Sequence, residues 1–521
     1  MADIPVGSYK SQGMKSPNII PKNWLGGLFM VIESRWMTKA GDFGSAKNFR
    51  QVGFNSHSLC LSGLLVCTAL TVRAQDNSQN RGANWVAVET PVAQVDSSWI
   101  LSTFKVSPDS KRVACVANVG DKQLVVVDGK QQKPYDAIRD LIFSPDSMRV
   151  AYEAKAGDKS LVVVDGQEEK LYDGIGEGSL AFSPDSKHLA YEVDVDGWVS
   201  DKHLVVEDGK EGKLYDGIGG LIFSPDSQRV AYMAAVGDKR LVVVDGKEEK
   251  PYDGIMEGTP IFSPDSKRMA YAPQVGDKRL VVVDGQEEKL YDGIGEGSLV
   301  FSSDSKRMAY WAKVGDQMLV VVDGKEEKPY AGNGTLIFSP DSKRVAYSVY
   351  AGDNKHLVVV EGKEEKPYDG IGEGTLIFSP DSRRTAYEAM SSGKRLAVVD
   401  GKEEKPYDAI GCLSFSPDSR RVAYAAKAGN VQFAIVDGQE GQAYDDIGQG
   451  SLIFSPDSKR VVYAAKVGNE NFVVVDGKEQ KPYDGIVTTR GGKLQFDSPD
   501  SFHYLAGNGN RFYFVVVTLK Q

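Results

Sequence analysis

The sequence contains few of the residues from which catalytic and metal sites are most often built. Its 521 residues include five histidines, four cysteines and six tryptophans, and no Gly-x-Ser-x-Gly motif is present. The missing motif removes the usual signature of an α/β-hydrolase nucleophile, and the scattered histidines do not show the spacing of a metal cluster. The composition therefore does not predict an enzyme.

Positive charge is also in deficit, with 62 Lys and Arg against 72 Asp and Glu and a formal net charge of −10. A broad nucleic-acid surface needs clustered Lys and Arg, so we expect no nucleic-acid partner. Many lysines lie in mixed runs such as Lys247–Lys250 (KEEK), in which opposite charges cancel locally. We interpret these runs as a solvated face.

A hydrophobic run long enough to cross a membrane is missing as well. Leu59–Val72 is uncharged over about 14 residues, which is shorter than the roughly 20 residues of a spanning helix but typical of a signal-peptide core. Val72-Arg-Ala74 supplies small residues for cleavage before Gln75. We expect an exported protein, periplasmic, cell-surface or extracellular, with no stable membrane span in its mature form; an uncleaved anchor and a coincidental apolar run are the alternatives.

The apolar run divides the chain into four parts. These are an N-terminal extension (1–58), a signal-peptide-like segment (59–74), a polar linker (75–84) and a repeat array (85–521). The true start could be Met37, since signal peptides usually lie closer to the first residue. Of the four cysteines, Cys60 and Cys67 lie in the apolar run. Cys115 and Cys412 lie in the first and ninth repeats, and we interpret them as free thiols.

One sequence motif, with variations, is repeated throughout the array. It reads Phe-Ser-Pro-Asp-Ser-Lys-Arg-Val-Ala-Tyr and is followed by a Gly-Asp turn and by Leu-Val-Val-Val-Asp-Gly. Its steps of about 37 to 43 residues indicate a stacked or circular repeat protein. The Asp of the Ser-Pro-Asp-Ser element, or of its variant, stands at eleven positions: Asp109, Asp146, Asp185, Asp226, Asp265, Asp304, Asp341, Asp381, Asp418, Asp457 and Asp500.

Each repeat reads as four short antiparallel strands. In one copy we predict a first strand at Leu221–Ser224, a second at Arg229–Ala234, a buried third at Leu241–Val244 and a fourth at Lys250–Ile255. Pro and Asp in Ser-Pro-Asp-Ser, and the Asp-Gly pair after the third strand, have the chemistry of tight turns. Four strands per period of about 39 residues is the composition of a propeller blade.

The same motif resembles the WD-like repeat of TolB-type β-propeller proteins, over residues 97–518. The resemblance implies an all-β propeller of about eleven four-stranded antiparallel blades, with binding at a loop face or at the mouth of the central channel. The chain departs from the family in having Ser where Gly usually follows Ser-Pro-Asp. Eleven blades exceed the usual four to eight, so one wide ring and two fused rings both remain open.

The ends of the array fit ring closure. The last copy supplies three strands and stops without a fourth, and a surplus strand, Trp85–Thr90 or the adjacent Pro91–Val95, precedes the first copy. We predict that this surplus strand completes the last blade.

The repeated polar residues give no differentiated catalytic pair. Identical carboxylates in most blades are turn formers first, because an acid–base pair needs two different environments. Four of the histidines occupy positions where other copies carry Arg, so we interpret them as replacements at a solvated basic position: His188, His203, His356 and His503.

Differences between copies are the better guide to a site. The third copy carries an insertion, Val193–Asp201, in which Asp194, Asp196 and Asp201 offer oxygen ligands for a metal, with calcium as the candidate, and Trp198 offers an anchor for a partner or a sugar ring. The sixth copy carries Tyr310 and Trp311, which we add as candidate partner contacts. We expect no other cofactor.

The sequence thus favours an exported, non-catalytic β-propeller that binds a protein or glycan partner through its loop faces. Two alternatives are a propeller hydrolase or lyase acting on polysaccharide or peptide, and a self-assembling envelope protein.

Overall fold

The computed structural model describes residues 84–195, 202–489 and 491–520. Within these ranges the chain is almost entirely β, with one short 3-10 helix at Leu101–Thr103. No helix in the described ranges is long and apolar enough to span a membrane. The extension, the signal-peptide-like segment and nearly all of the linker (residues 1–83) lie outside the described residues.

The strands form eleven blades, each ordered inner, second, third and outer strand. The strands of blades 1 to 4 are as follows: blade 1, Lys105–Val106, Val113–Val119, Lys122–Val127 and Lys130–Gln131; blade 2, Ala137–Phe143, Val150–Ala156, Lys159–Val164 and Gln167–Glu168; blade 3, Gly174–Ile175 with Ala181–Phe182, Leu189–Val195, Lys202–Glu207 and Lys210–Glu211; blade 4, Gly217–Phe223, Val230–Val236, Lys239–Val244 and Lys247–Glu248.

The strands of blades 5 to 8 continue the pattern: blade 5, Gly254–Ile255 with Ile261–Phe262, Met269–Tyr271 with Pro273–Val275, Lys278–Arg279 with Val282–Val283, and Gln286–Glu287; blade 6, Gly293–Ile294 with Val300–Phe301, Met308–Val314, Gln317–Val322 and Lys325–Glu326; blade 7, Gly332–Phe338, Val345–Gly352, Lys355–Val360 and Lys363–Glu364; blade 8, Gly370–Ile371 with Ile377–Phe378, Thr385–Ser391, Lys394–Val399 and Lys402–Glu403. Pro273, which has no N–H to donate, interrupts blade 5, so this blade consists of two small sheets.

The strands of the last three blades are: blade 9, Ala409–Phe415, Val422–Ala428, Val431–Val436 and Gln439–Tyr444; blade 10, Asp446–Ile447 with Ile453–Phe454, Val461–Val467, Glu470–Val475 and Lys478–Glu479; blade 11, Gly485–Ile486 with Gln495–Ser498, Ser501–Asn508, Arg511–Lys520 and, from the other end of the described chain, Asn84–Gln94.

Local turn chemistry sets the shape of each blade. In blade 4 the second and third strands pair antiparallel from Ala231↔Val244 to Val236↔Lys239. The hairpin after the third strand uses Asp245 and Gly246, whose φ angles of 51° and 74° are those of the two central residues of a type I′ turn. The hairpin predicted from Asp-Gly is confirmed.

The fourth predicted strand is partly wrong. In blade 4 the outer strand begins at Lys247, and Tyr252 is the last residue bonded to the third strand, through Arg240. Gly254–Ile255 belongs instead to the inner strand of blade 5. At this point the Asp253 carboxylate accepts the N–H of Gly276, in the next blade.

The core is a series of apolar clusters, one between each pair of neighbouring blades. Tyr215 and Tyr232, for example, make an edge-to-face contact at 6.1 Å between the outer strand of blade 3 and the second strand of blade 4. The eleventh cluster joins the last blade to the first and includes Phe512 stacked on Phe104 at 4.8 Å. The blades therefore form one closed ring, and the alternative of two fused rings is excluded: the protein is a β-propeller.

The N-terminal strand completes the last blade, as predicted. Asn84–Gln94 pairs antiparallel with Arg511–Lys520 over most of its length, with an irregularity between Pro91 and Ala93. It takes the place of the outer strand that the last repeat lacks. The ring is thus closed by backbone hydrogen bonds between the two ends of the repeat array.

Two loop faces follow from the strand order. The turn face carries the Ser-Pro-Asp-Ser turns and the Asp-Gly hairpins, represented by Ser224–Ser227 and Asp245–Gly246. The crossing face carries the turns between second and third strands and the points where the chain changes blade, represented by Gly237–Asp238 and Asp253. The inner strands of neighbouring blades approach closely, and the outer edges are joined by side-chain bonds such as that of Lys250 with Glu287.

Candidate functional site

The Arg of each Lys-Arg-Val element joins its blade to the next one on the turn face. In blade 2 the Arg149 Nε donates to Asp165 at 2.9 Å, and Nη1 donates to the carbonyls of Ser186 and Lys187 in blade 3. The guanidinium also lies 5.2 Å from the Phe182 ring. Equivalent bonds to an acid and to the next blade are made by Arg112, Arg229, Arg268, Arg307, Arg344, Arg384 and Arg421.

The Ser-Pro-Asp-Ser turn likewise forms hydrogen bonds both within its own blade and to the next blade. Asp146 accepts bonds from the Ser144 hydroxyl and the Met148 N–H, and the first of these is the main reason that its pKa lies below the usual value. The Asp146 N–H donates to the Ser186 hydroxyl of the next blade at 2.9 Å. A glycine at position 186 could not accept this bond.

The Lys-Glu-Glu-Lys runs lie along the outer edge and are not simply a solvated face. Lys250 Nζ and the Tyr252 hydroxyl of blade 4 both donate to Glu287 of blade 5, at 2.6 and 2.8 Å. The Lys250 bond is the largest of the causes that lower the pKa of Glu287. Glu248, within the run Lys247–Lys250, accepts the same pair of bonds from blade 3. The run is therefore a junction between blades.

The Asp of each Tyr-Asp-Gly element joins blades on the crossing face. Asp253 accepts from Lys239 of blade 4 and from the Gly276 N–H of blade 5, both at 2.6 Å. The Lys239 bond is the largest cause that lowers the pKa of Asp253. The recurrent carboxylates are thus occupied by the blade junctions.

The junction of blades 6 and 7 lacks this pair, because Gln317 and Ala331 replace the Lys and the Asp. Trp311 lies there instead, with its Nε1 donating to the carbonyl of Gly334 at 2.9 Å and its ring 5.5 Å from Tyr347.

Tyr310 and Trp311 are therefore corrected as candidate partner contacts. They are 2% and 1% exposed, and the Tyr310 hydroxyl donates to Glu288 at 2.6 Å. Both side chains pack into the core, on opposite faces of their strand. Neither presents a surface to a partner.

The differentiated site is in blade 3. Glu192 and Asp194 stand two residues apart on the second strand and therefore share a face, and Asp194 pairs with His203 across to the third strand. The Nδ1 atom of His203 lies 2.9 Å from Asp194 Oδ1 and 3.0 Å from Glu192 Oε1. Burial is the largest of the causes that raise the pKa of Glu192. Two carboxylates and an imidazole thus meet at one point.

The blade packing shows which way this cluster faces. Tyr191 and Val193, which alternate with its acidic residues, pack against blade 2, so the cluster faces blade 4. Asp194 also borders a cavity of about 240 Å³, whose other lining residues include Arg139, Glu153 and Ser160 of blade 2. The cluster therefore lies next to a polar recess.

The structure describes one of the residues that the sequence predicted at this site. Asp194 belongs to the cluster, whereas Asp196, Trp198 and Asp201 lie outside the described residues. Glu192 and His203 were missed as candidate ligands. Strand periodicity would have found them, since Glu192 and Asp194 alternate with apolar residues and His203 is the second residue of the paired strand.

The other histidines have separate structural surroundings. His188 Nδ1 lies 2.7 Å from Asp208 within blade 3. His503 is buried, with Nδ1 2.8 Å from Asp497 and Nε2 3.0 Å from the Asp109 carbonyl of blade 1. His503 thus contributes to closure of the ring, and the interpretation of this residue as solvated is wrong.

Comparison with known proteins gave matches among solved structures. No protein-family model matches the chain, and no curated protein sequence matches it. A eukaryotic initiation factor structure is similar at 15% identity and a TM-score of 0.37, over 61% of this chain and 90% of that one. The β-propeller domain of the Trilobed protease from Pyrococcus furiosus is similar at 15% identity and a TM-score of 0.26, over 52% of this chain and 96% of that one. TolB from Acinetobacter baumannii is similar at 18% identity and a TM-score of 0.24, over 50% of this chain and 77% of that one.

TolB and other β-propellers are thus among the solved structures to which the chain is similar. The class itself is defined by the eleven blades and their closure.

Proposed function

We propose that the chain is an exported, non-catalytic β-propeller that binds a protein or a glycan through a loop face. The observation that supports this most directly is the regular set of side-chain bonds between blades, on the turn face, on the crossing face and along the outer edge. They hold neighbouring loops in equivalent positions before any partner arrives. A rigid surface loses less conformational entropy on binding than a flexible one.

The turn face offers the clearest contact surface. In eight of the eleven described blades an exposed basic residue follows the Ser-Pro-Asp-Ser turn or its variant, with side-chain exposures of 82% for Lys306 and Lys343 and 81% for Lys459. Asp304 accepts bonds from the Ser302 hydroxyl and the Lys306 N–H. The Lys306 ammonium lies 3.8 Å from the same carboxylate, in a weak and exposed ion pair from which it can turn to a partner. These exposed cations, called the basic turn residues here, are Lys111, Lys187, Lys267, Lys306, Lys343, Arg383, Arg420 and Lys459.

Repeated cations on one rigid face favour a partner with repeated negative charge. A protein with an acidic surface or an anionic glycan would engage several basic turn residues at once, and the individually weak contacts would reinforce one another.

Charge reversal tests this surface. Binding to an anionic polysaccharide and to proteins of the producing organism's envelope would be measured for the wild type and for Lys306→Glu with Lys343→Glu. We expect affinity to fall by about 10-fold or more, since each reversal replaces an attraction by a repulsion. The matched control carries Lys155→Glu and Lys313→Glu, which are exposed on the crossing face. Equal binding by both double variants would contradict the proposal for the turn face, and turnover of a polysaccharide or peptide would contradict the non-catalytic assignment.

Export is tested separately. The uncharged run Leu59–Val72 and the small residues before Gln75 support it. N-terminal sequencing of the protein recovered from its producing organism should give a chain that begins at Gln75, in the envelope or the medium. A chain that retains residues 59–74 in the cytoplasmic fraction would contradict export.

A further inference from the structure

We propose that Glu192, Asp194 and His203 form a binding site for one divalent transition-metal ion in blade 3. One potential ligand atom from each residue lies within 4.8 Å of the other two, so a single ion can reach all three. The site is independent of the partner surface proposed above, because it faces blade 4 and contains none of the basic turn residues.

The surroundings of the His203 Nδ1 atom are the first reason to propose a metal site. His203 Nδ1 is shielded from solvent and makes no hydrogen bond, although two carboxylate oxygens lie 2.9 and 3.0 Å away. A neutral ring with its proton on Nε2 would point the Nδ1 lone pair at both carboxylates, which is unfavourable. A metal ion between the three groups would take the Nδ1 lone pair and both carboxylates as ligands and would remove that repulsion.

The charge balance is the second reason. Glu192 is largely buried, with 16% of its side chain exposed, close to the second carboxylate of Asp194. In blade 8 the equivalent acid, Glu388, is paired with Arg395, which carries a permanent charge. Blade 3 has a histidine in place of that arginine, so a bound cation would supply the compensating charge.

The third reason is that the combination is specific to blade 3 within the described residues. The equivalent three positions of blade 2 hold Glu153, Lys155 and Ser160, and those of blade 7 hold Ser348, Tyr350 and His356. The other described blades also lack one or more of the three groups. The Ser-Pro-Asp-Ser turn and the Tyr of each outer edge recur in most described blades, whereas this set of three residues does not.

The donor set indicates the class of ion. One imidazole nitrogen and two carboxylate oxygens suit zinc, manganese, iron(II) or cobalt(II), whereas calcium prefers oxygen ligands alone. The calcium expected from the sequence is therefore replaced by a transition metal in this proposal. Three protein ligands leave coordination positions for water or for an oxygen atom of another molecule.

Metal titration of the full chain tests the site. Zinc chloride would be titrated calorimetrically, and cobalt(II) chloride would be followed by its visible absorption, which reports the ligand set. We expect one equivalent of either ion to bind to the wild type. His203→Gln and Asp194→Asn should each weaken binding by about 100-fold or more, because a direct ligand is lost.

His356→Gln is the matched control, since His356 occupies the same strand position in blade 7 but faces Ser348 and Tyr350. It should bind zinc as the wild type does. Asp194 has 42% of its side chain exposed, so its variant is expected to fold, and circular dichroism would check both site variants. Failure of the wild type to bind zinc, or equal binding by wild type and His203→Gln, would overturn the proposal.

Discussion

Glu89 accepts a hydrogen bond from the Tyr483 hydroxyl at 2.7 Å, across 394 positions of the sequence. Lys481 donates to the same Glu89 oxygen at 2.6 Å. The arrangement repeats the junction of Lys250 and Tyr252 with Glu287, in which both partners come from consecutive repeats. The N-terminal strand therefore reproduces the side-chain contact of an ordinary outer strand in addition to its backbone pairing.

Removing this contact should loosen ring closure specifically. Tyr483 is buried, so Glu89→Ala leaves its hydroxyl without its partner, at a cost of about 1 to 2 kcal/mol; the exposed Lys481 adds little. Hydrogen–deuterium exchange should show faster exchange in Asn84–Gln94. Glu287→Ala is the control and should leave that strand protected. Unchanged protection in Glu89→Ala would mean that the backbone ladder alone holds the strand.

The ring should lose stability in acid. The pKa of Glu89 is held below its ordinary value of 4.5, chiefly by the Lys481 bond, and the Ser455 bond is the main cause that lowers the pKa of Asp457 from 3.8 to about 2. A carboxylate whose folded-state pKa is depressed stabilises the fold above its unfolded pKa, and the contribution disappears as the pH falls through the folded value.

Many junction carboxylates share this depressed pKa, and they include Glu168, Glu211, Glu248, Glu287, Glu326, Glu364, Glu403 and Glu440. We expect the unfolding temperature to fall steadily from about pH 4.5 to pH 2 and to change little between pH 6 and pH 8. Calorimetry over this range measures the effect. An unfolding temperature that does not fall below pH 4 would contradict it.

Substitutions at Ser186 should separate the hydrogen bond from backbone conformation. Ser186 has a φ of 66°, and its buried hydroxyl accepts the Asp146 N–H. Ser186→Ala loses the bond and keeps a side chain in the left-handed region, so we expect a loss of about 1 to 2 kcal/mol in unfolding free energy. Ser186→Gly loses the bond but removes the Cβ, so its loss should be smaller.

Urea denaturation would compare the two variants of Ser186 with the wild type. Equal stability of Ser186→Ala and the wild type would show that the bond between blades contributes nothing.

The contact that Trp311 makes between blades 6 and 7 should be replaceable by the Lys and Asp pair that joins other neighbouring blades. Trp311→Phe removes the Nε1 donor to Gly334 and should lower the unfolding free energy by about 1 to 3 kcal/mol through the lost bond and the smaller ring. Adding Gln317→Lys and Ala331→Asp restores the pair found at other junctions and should recover part of the loss. Denaturant unfolding of the single and triple variants measures this. A triple variant no more stable than Trp311→Phe would show that the Trp contact does not substitute for the ion pair.

The amino-acid sequence by itself determined the strands and turns of a single blade. Strand length and turn position depend on nearby residues, so the Asp245-Gly246 hairpin and the buried third strand at Leu241–Val244 could be predicted from local chemistry. The surplus strand at Trp85–Thr90 could be predicted as the closing strand because the last repeat lacks an outer strand. Ser-Pro-Asp-Ser could also be assigned to turns, since Pro and Asp favour them locally.

Only the tertiary structure decided what depends on one blade meeting the next. Glu248 in the KEEK run reaches Tyr215 of the preceding blade, Trp311 turns into the core, and Glu192 meets His203 across two strands. These contacts join residues that are not neighbours along the chain, and repeat spacing does not specify them. The number of rings was undecided for the same reason: closure depends on how each blade packs against its neighbours, which is a property of side chains on both blades.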